Sequence, residues 1–248
     1  MLHRLFPRAW RWAIKRRLGL DRCPAHPELN EIDFTVGSRV VLDVGAFVGN
    51  FAANLLLRAP LTEIHCFEPN PDVFPRLEAT CRRMGKNAGR PRCQAWPQAV
   101  GAGAGTAELS LTQFPPANSL LPISEASREG WKEVDFTTNR RVCVPVTTIA
   151  AHAEEHRLQE VKLLKMDVQG YELEVLRGCG DMLEKIEYVF AEVQFTPLYV
   201  GAPVWTEIVD YLHGHAFRPE LMGGFCVSPE GQLLQADLLF RNCRLGRE

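Results

Sequence analysis

The stretch Val40-Val-Leu-Asp-Val-Gly-Ala-Phe-Val-Gly-Asn50 decides the fold of this chain. Its first residues are apolar and β-branched, which predicts a short buried strand that ends near Asp43. The run Phe51-Ala-Ala-Asn-Leu-Leu-Leu57 follows with helical spacing. Between them, Gly45 can form a tight turn that lets the backbone approach a ligand, and Gly49 allows the helix to start close to the sheet. The sequence therefore predicts a strand, a ligand-facing turn and a helix.

Further strands and helices alternate along the rest of the chain. Buried strands are predicted at 62–67, 92–100, 161–166 and 188–193, and helices at 72–84, 148–157, 171–177 and 204–213. A glycine-rich turn at 101–105 predicts a hairpin into 106–111, an extended run covers 142–146, and a final pair of strands is expected near 216–227 and 232–241. This alternation predicts an α/β fold with a Rossmann-like, doubly wound and mostly parallel sheet.

Residues 112–141 interrupt the alternation. They are polar, contain Pro115-Pro116 and show no clear periodicity. A segment of this length inside a compact domain is more often functional than a passive connection. We therefore predict a mobile lid that closes over the ligand.

The composition is that of an ordinary globular protein, with 46% hydrophobic and 23% charged residues in a chain of 248. The formal net charge of -2 argues against a nucleic-acid partner, because phosphate binding normally requires a basic surface. No apolar run approaches the roughly 18–20 residues that span a bilayer. The 8 cysteines contain no C-x-x-C pair, which argues against a zinc site. We expect a cytoplasmic protein with reduced thiols.

The N-terminus differs in composition from the rest of the chain. Residues 1–22 contain many arginines and a single acid, and their apolar residues recur with helical spacing, which predicts a basic amphipathic helix. This helix packs on the domain, or it makes weak contact with a membrane surface through Trp10 and Trp12. The prolines near its end break the helix, so the chain is divided into an N-terminal helix and linker at 1–27 and a main domain at 28–248.

Acidic residues end the predicted parallel strands. Asp43 ends the first strand, Glu68 follows the second, and Asp167 and Glu192 end two later ones. Ligands of such sheets bind beyond the carboxyl ends of the strands, and Glu68 stands about 20 residues after the glycine turn, where an acid reaches ribose hydroxyls in nucleoside-binding folds. A cluster of uncompensated acids is unfavourable, so it implies a cationic ligand, a metal or a shared proton.

Three segments together resemble the FkbM family of methyltransferases. They are Asp43-Val-Gly-Ala-Phe-Val-Gly49, Phe67-Glu-Pro-Asn-Pro71 and Leu164-Lys-Met-Asp-Val-Gln-Gly-Tyr-Glu-Leu-Glu-Val-Leu-Arg-Gly178. Later matches are Pro145-Val-Thr-Thr148, Glu192-Val-Gln-Phe-Thr-Pro-Leu-Tyr199 and Gln235-Ala-Asp-Leu-Leu-Phe240. The resemblance implies a class I methyltransferase fold, S-adenosylmethionine as cofactor, and O-methylation of a hydroxyl group on a small molecule or sugar.

The resemblance also implies which residues contact the cofactor. Asp43 would border the methionine part, whose ammonium and sulfonium groups favour an acid, and Glu68 would hold the ribose. Gln98 and Ala99 would lie near the adenine, and Asp167 between cofactor and acceptor. The full implied set is Asp43, Gly45, Ala46, Gly49, Asn50, Glu68, Pro69, Asn70, Gln98, Ala99, Asn118, Ser119 and Asp167, with Asn118 and Ser119 contributed by the lid.

An alcohol acceptor is hardly ionised at neutral pH, so methyl transfer to it needs a base or a metal. Asp167 is the first candidate base, followed by Glu192 and Glu172, and a carboxylate base without a metal is favoured over a magnesium site. N- or carboxyl-methylation needs less help from a base and stays open. A nicotinamide-dependent oxidoreductase is disfavoured because G-x-G-x-x-G is missing, and a non-catalytic nucleoside-binding protein is disfavoured because none of the acids is lost.

Overall fold

Runs of buried valine, leucine and isoleucine build the central sheet of the computed structural model, which describes residues 27–87, 89–130 and 134–245. In chain order, the strands are β1 (Val40–Val44), β2 (Glu63–Phe67), β3 (Lys86–Asn87), β4 (Arg90–Pro91), β5 (Cys93–Trp96), β6 (Ala99–Val100), β7 (Gly105–Thr112), β8 (Thr138–Thr147), β9 (Val161–Met166), β10 (Ile186–Gln194), β11 (Phe217–Val227) and β12 (Leu233–Asn242). The α-helices are α1 (Asn50–Arg58), α2 (Phe74–Arg83), α3 (Glu125–Gly130), α4 (Ile149–His156), α5 (Glu172–Arg177) and α6 (Trp205–Gly214). Short 3-10 helices cover Pro27–Glu31, Pro115–Ala117 and Gly180–Lys185.

The main sheet has the strand order β5-β2-β1-β9-β10-β12-β11. Neighbouring strands from β5 to β10 are parallel, whereas β12 is antiparallel to both β10 and β11. The chain passes from β1 through β2 to β5 on one side and resumes at β9 on the other, so the strand order reverses at β1. Open α/β sheets bind ligands at such a point. The predicted doubly wound, mostly parallel sheet is confirmed.

Apolar clusters cover both faces of the main sheet. On one face, α4, α5 and α6 pack through side chains such as Ile149, Val175 and Leu212. On the other face, α1 and α2 pack through Leu55 and Leu77. These side chains are almost completely buried, and each contributes about 1.5–3 kcal/mol of stability relative to exposure. Packing on both faces therefore fixes the sheet edge at which the strands end.

The strand predicted at 92–100 is two strands in different sheets. β5 ends at Trp96 in the main sheet, and β6 starts at Ala99 in a smaller sheet with the order β6-β8-β7. Pro97 lies between them and cannot donate a ladder hydrogen bond. The break turns the chain out of the main sheet.

The segment predicted as a lid at 112–141 is shorter in the structure. β7 extends to Thr112 and β8 already begins at Thr138, because these residues continue the antiparallel ladder between the two strands. The connecting segment is therefore 113–137, and its described part contains a 3-10 helix and α3.

Two cysteines lie side by side in the structure. Cys81 on α2 and Cys93 on β5 have Cα atoms 4.9 Å apart, within the range that a disulfide can bridge, and the expectation of reduced thiols stays a prediction for this pair. The pairing follows from the packing of α2 against β5, which sequence spacing does not reveal. Cys66 is a free, fully buried thiol as expected, and burial raises its pKa.

The helix predicted at 1–22 lies outside the described residues, as does most of its linker. Across residues 27–87, 89–130 and 134–245, no helix combines the length and apolar character needed to cross a membrane.

A group of histidines that the sequence analysis missed is buried between the sheet and α4. His65 on β2 lies 2.8 Å from His152 on α4, measured between Nδ1 and Nε2. His156, one turn further along α4, and Trp96 pack against His152. Burial lowers the pKa of His152 to about 3, and the two neighbouring histidines add to this effect. His152 therefore stays neutral in the folded protein down to acidic pH.

We expect the free energy of unfolding to decrease as the pH falls below about 6.5, the unperturbed pKa of histidine. Between that value and about 3, the unfolded chain binds a proton at position 152 that the folded protein does not. Stability should therefore rise with pH across this window, by up to about 1.4 kcal/mol per pH unit. Urea unfolding at a series of pH values measures the slope. His152→Gln should reduce it, and the exposed His213→Gln should not. Equal slopes in both variants would show that the buried histidine is not responsible.

Candidate active site

A cavity of about 470 Å³ opens at the carboxyl ends of β1, β2, β9 and β10. Its volume lies within the range of roughly 300–1,000 Å³ that is typical of small-molecule sites. The polar and glycine residues that line it include Gly45, Glu68, Asn70, Gln98, Asn118, Ser119, Asp167, Gln169, Glu192, Tyr199 and Gln235. The predicted sheet edge therefore contains a ligand-sized space.

The turn after β1 contributes to the cavity wall. Gly45 has a φ of +76°, a left-handed value that glycine adopts without strain, and a Cβ at this position would collide with the backbone carbonyl of Asp167. The amides of Gly45 and Ala46 both donate to the carbonyl of Phe67 at 3.0 Å. These contacts hold the strand ends together and leave Gly45 facing the cavity, as its sequence context predicted.

Glu68 lies at the end of β2 and borders the same cavity. Its Oε2 accepts the N–H of Phe47 at 2.9 Å, and its Oε1 accepts the N–H of Asn70 at 2.8 Å. Burial raises the pKa of Glu68 to about 7, although the two backbone donors oppose the shift. A carboxylate has about four lone-pair sites, so two backbone donors leave Glu68 able to accept hydrogen bonds from hydroxyl groups of a ligand.

The acid cluster contains its own counter-ion. The ammonium group of Lys165 on β9 lies 3.0 Å from Asp43 Oδ1 and 3.8 Å from Asp167 Oδ2, and it donates to the carbonyl of Gly45 at 3.0 Å. Burial lowers the pKa of Lys165, but the charges of Asp43 and Asp167 outweigh this and raise it above the usual lysine value. The compensating cation that we expected from a ligand or metal is therefore supplied, for Asp43, by the protein.

Asp43 differs from its predicted position in the site. It is completely buried and does not line the cavity. Parallel pairing of β1 with β9 places Asp43 directly beside Lys165, so its carboxylate is directed to the lysine. Asp43 is therefore engaged by Lys165 rather than exposed to the cavity, and its contact with the cofactor stays a prediction.

Glu172 also lies outside the cavity lining. Its Oε1 accepts the N–H of Val168 at 3.1 Å and that of Gly170 at 3.3 Å. Burial raises the pKa of Glu172 to about 7. The side chain shapes the turn between β9 and α5, so its predicted role as a base is not supported.

Gln169 links the other two candidate bases, Asp167 and Glu192. Its Nε2 donates to Asp167 Oδ1 at 2.7 Å and to Glu192 Oε2 at 3.1 Å, and its Oε1 accepts the hydroxyl of Tyr199 at 2.7 Å. Gln235 donates to the second oxygen of Glu192. The backbone of Gln169 has a φ of +55°, which costs about 1–3 kcal/mol for a residue other than glycine. The surrounding hydrogen bonds hold it there.

The two carboxylates have different environments. The side chain of Asp167 is 44% exposed and borders the cavity. Burial raises the pKa of Glu192 well above its usual range, and the charges of Asp167 and Glu172 act in the same direction. Asp167 is therefore the more suitable base of the two.

Asn118 and Ser119 line the cavity from the connecting segment, but their side chains also hold the chain in place. Asn118 Oδ1 accepts the N–H of Thr112 at 2.8 Å, and the Ser119 hydroxyl donates to the backbone carbonyl of Gln169 at 2.8 Å. This part of the segment is thus attached to the turn that follows β9. Closure over a ligand stays a prediction.

The remaining predicted residues divide into two groups. Those that line the cavity on the side of β2 and β6 are Pro69, Asn70, Gln98 and Ala99. Those outside the lining are Ala46 and Gly49, which lie in the turn before α1, and Asn50, the first residue of that helix.

Lys165 and Gln169 were missed as site residues. Lys165 could have been identified from the sequence, because it is a lysine inside an otherwise apolar parallel strand, where an unpaired charge is unfavourable. No sequence feature identifies Gln169 as a site residue, since its contacts depend on a left-handed backbone conformation.

Comparisons with known proteins identify the family to which this chain is similar. A model of the methyltransferase FkbM domain matches residues 43–219. The 2-O-methyltransferase NoeI of Sinorhizobium fredii is 27% identical over 215 residues, covering 83% of this chain and 80% of that protein. The 31-O-demethyl-FK506 methyltransferase FkbM of Streptomyces tacrolimicus is 30% identical over 226 residues, covering 82% of this chain and 80% of that protein. The hexuronic acid methyltransferase AglP of Haloferax volcanii is 27% identical over 154 residues, covering 62% of this chain and 55% of that protein.

A solved structure has the same fold. The crystal structure of methyltransferase FkbM from Methylobacillus flagellatus KT matches with a TM-score of 0.51 at 13% sequence identity. The match covers 82% of this chain and 43% of that chain, so this chain spans less than half of the longer protein. At this identity the likeness concerns the fold alone.

Removing the counter-ion should destabilise the fold. Lys165→Met leaves the buried carboxylate of Asp43 without its cation, and breaking a buried pair in this way costs about 3–5 kcal/mol. Urea unfolding measures the loss, with the exposed Lys185→Met as control. The double variant Lys165→Met/Asp43→Asn should recover much of the stability, because neither charge remains. A double variant no more stable than Lys165→Met would contradict the ion pair as the cause.

Proposed function

Because this chain belongs to the methyltransferase FkbM family, we propose that this S-adenosylmethionine-dependent methyltransferase methylates a hydroxyl oxygen of a small molecule or sugar. The observation that carries the proposal is the position of Asp167, whose partly exposed carboxylate borders the cavity at the carboxyl edge of the sheet. The names of two relatives, 2-O-methyltransferase NoeI and 31-O-demethyl-FK506 methyltransferase FkbM, support oxygen as the acceptor atom.

The residues around the cavity fit S-adenosylmethionine. Glu68 would accept the ribose hydroxyls, Gln98 and Ala99 would border the adenine, and Asp167 would favour the cationic part. Gly45 fits the same ligand, because it lines the cavity without a side chain and the backbone can be approached closely. When bound, the cofactor supplies an electrophilic methyl group on a positively charged sulfur.

In this proposal Asp167 removes the proton of the acceptor hydroxyl. An alcohol loses its proton with difficulty, and a positioned base contributes about 10²–10⁴-fold to the rate. Gln169 orients the carboxylate through the hydrogen bond to Oδ1, and Lys165 lies near Oδ2. Holding donor and acceptor in line can contribute a further 7–11 kcal/mol or so.

Glu192 would assist at the acceptor end of the cavity. Both of its oxygens receive amide hydrogen bonds, from Gln169 and from Gln235, which fix its orientation. Because its pKa is raised, Glu192 can retain a proton at a pH where an ordinary carboxyl group is ionised. It would hold the acceptor in place, while Asp167 accepts the proton.

S-adenosylhomocysteine should bind to the purified protein, and Glu68→Ala should weaken its binding. A hydrogen bond to a charged acceptor contributes about 1.5–3 kcal/mol, so the loss should be roughly ten- to a hundredfold in Kd. Isothermal titration calorimetry measures it, and the exposed Glu78→Ala is the matched control. Affinity in the wild type should rise as the pH increases through about 7, because Glu68 then becomes ionised. An unchanged Kd in Glu68→Ala would remove Glu68 from the site.

Asp167→Asn should retain S-adenosylhomocysteine affinity within a few-fold but lower methyl transfer by about a hundredfold or more, since an amide cannot accept the proton. Transfer of labelled methyl groups from S-adenosylmethionine to the small-molecule fraction of the producing cells measures the effect. The exposed Asp181→Asn is the control. Full activity of Asp167→Asn would show that Asp167 is not the base.

The same assay tests metal dependence. Transfer should survive a strong chelator, because the proposed base needs no metal. Loss of activity on chelation, with recovery on addition of magnesium, would instead make Asp167 a metal ligand.

A further inference from the structure

One wall of the cavity is apolar, and none of its side chains takes part in the proposed proton removal. Its side chains come from β7 and from the connecting segment 113–137, and they are Leu109, Phe114, Pro115, Pro116, Val134 and Phe136. Phe114 is 44% exposed and is among the large apolar side chains that face water. Apolar surface gains free energy when a ligand removes it from water. The wall therefore favours an apolar ligand surface.

The hydrogen-bonding groups next to Asp167 form a compact set. Glu192 is bonded to Gln169 and Gln235, and Gln169 to Tyr199. All four of these side chains belong to the cavity lining. Carboxylate, amide and phenol groups together can both donate to and accept from a neutral hydroxyl.

The charges along the cavity have one sign. Its described lining contains the carboxyl groups of Glu68, Asp167 and Glu192, and within that described lining no lysine, arginine or histidine occurs. The nearest cation described above, Lys165, is 4% exposed and is engaged by Asp43, Asp167 and the carbonyl of Gly45. Because Glu192 can retain a proton, the charge that an anionic acceptor meets at this end of the cavity is that of Asp167, and the described lining offers no basic partner for the anion.

We infer that the acceptor is a neutral molecule whose reacting hydroxyl adjoins an apolar body, and that uronates and phosphorylated sugars are excluded. This inference rests on the proposed function. The hydroxyl binds at the Asp167 and Glu192 end, and the apolar body covers the wall formed by Phe114 and its neighbours. The apolar contact provides affinity, and the carboxylate of Asp167 provides selection against anions.

The test uses the complex with S-adenosylhomocysteine and three probes: methyl β-glucoside, hexyl β-glucoside and hexyl β-glucuronide. Binding of each is measured by ligand-detected NMR titration. Hexyl β-glucoside should bind at least tenfold more tightly than methyl β-glucoside, because it covers the apolar wall. It should also bind at least tenfold more tightly than hexyl β-glucuronide, which has the same chain and a negative charge.

A matched pair of variants tests whether the apolar wall causes the preference for the hexyl glucoside. Phe114→Ser should reduce the preference for the hexyl over the methyl glucoside by about threefold or more, while Leu57→Ser, which changes an exposed leucine away from the cavity, should leave it unchanged. S-adenosylhomocysteine affinity is measured first in every protein. If the wild-type protein does not bind S-adenosylhomocysteine, the proposed function itself is wrong. With that affinity intact, equal or tighter binding of the glucuronide, or no binding of the hexyl glucoside, would overturn the neutral, apolar acceptor.

Discussion

The ion pair between Lys165 and Asp43 is the interaction on which the rest of the site depends. Two adjacent parallel strands place these residues side by side in the sheet, where both are removed from water. Neither charge would be tolerated alone in that position. The same ammonium group also binds the carbonyl of Gly45 and lies near Asp167. One buried cation thus joins the glycine turn after β1 to the acid at the end of β9, and it fixes the geometry of the cavity at the strand ends.

This arrangement gives the acids different roles, although they look alike in the sequence. Asp43 is held by the lysine, and Glu172 is held by the backbone amides of the turn that it shapes. Glu68 is oriented by two amides but still borders the cavity. Asp167 keeps a large exposed surface. A carboxylate that is oriented and accessible is suited to bind a cationic cofactor and to accept a proton.

The order of strands and helices could be predicted, because buried strands and amphipathic helices have clear periodicities. Glu68 and Asp167 could also be placed at the cavity, since parallel strands end at one edge of the sheet. The sequence could not distinguish Asp43 and Glu172 from them, because burial and partners depend on register and on turn geometry. The strand break at Pro97 and the extension of β8 to Thr138 were misjudged for a related reason. Local composition does not show which strand a segment will pair with.

The most direct measurement is a crystal structure of the complex with S-adenosylhomocysteine. The central claim is that Lys165 neutralises the buried acid and so leaves Asp167 free to act at the cofactor. It predicts ribose hydroxyls on Glu68, the sulfur of the product beside Asp167, and Lys165 still between Asp43 and Asp167. A metal ion bound by Asp167 and Glu192, or a cofactor product bound directly by Asp43 with Lys165 displaced, would contradict it.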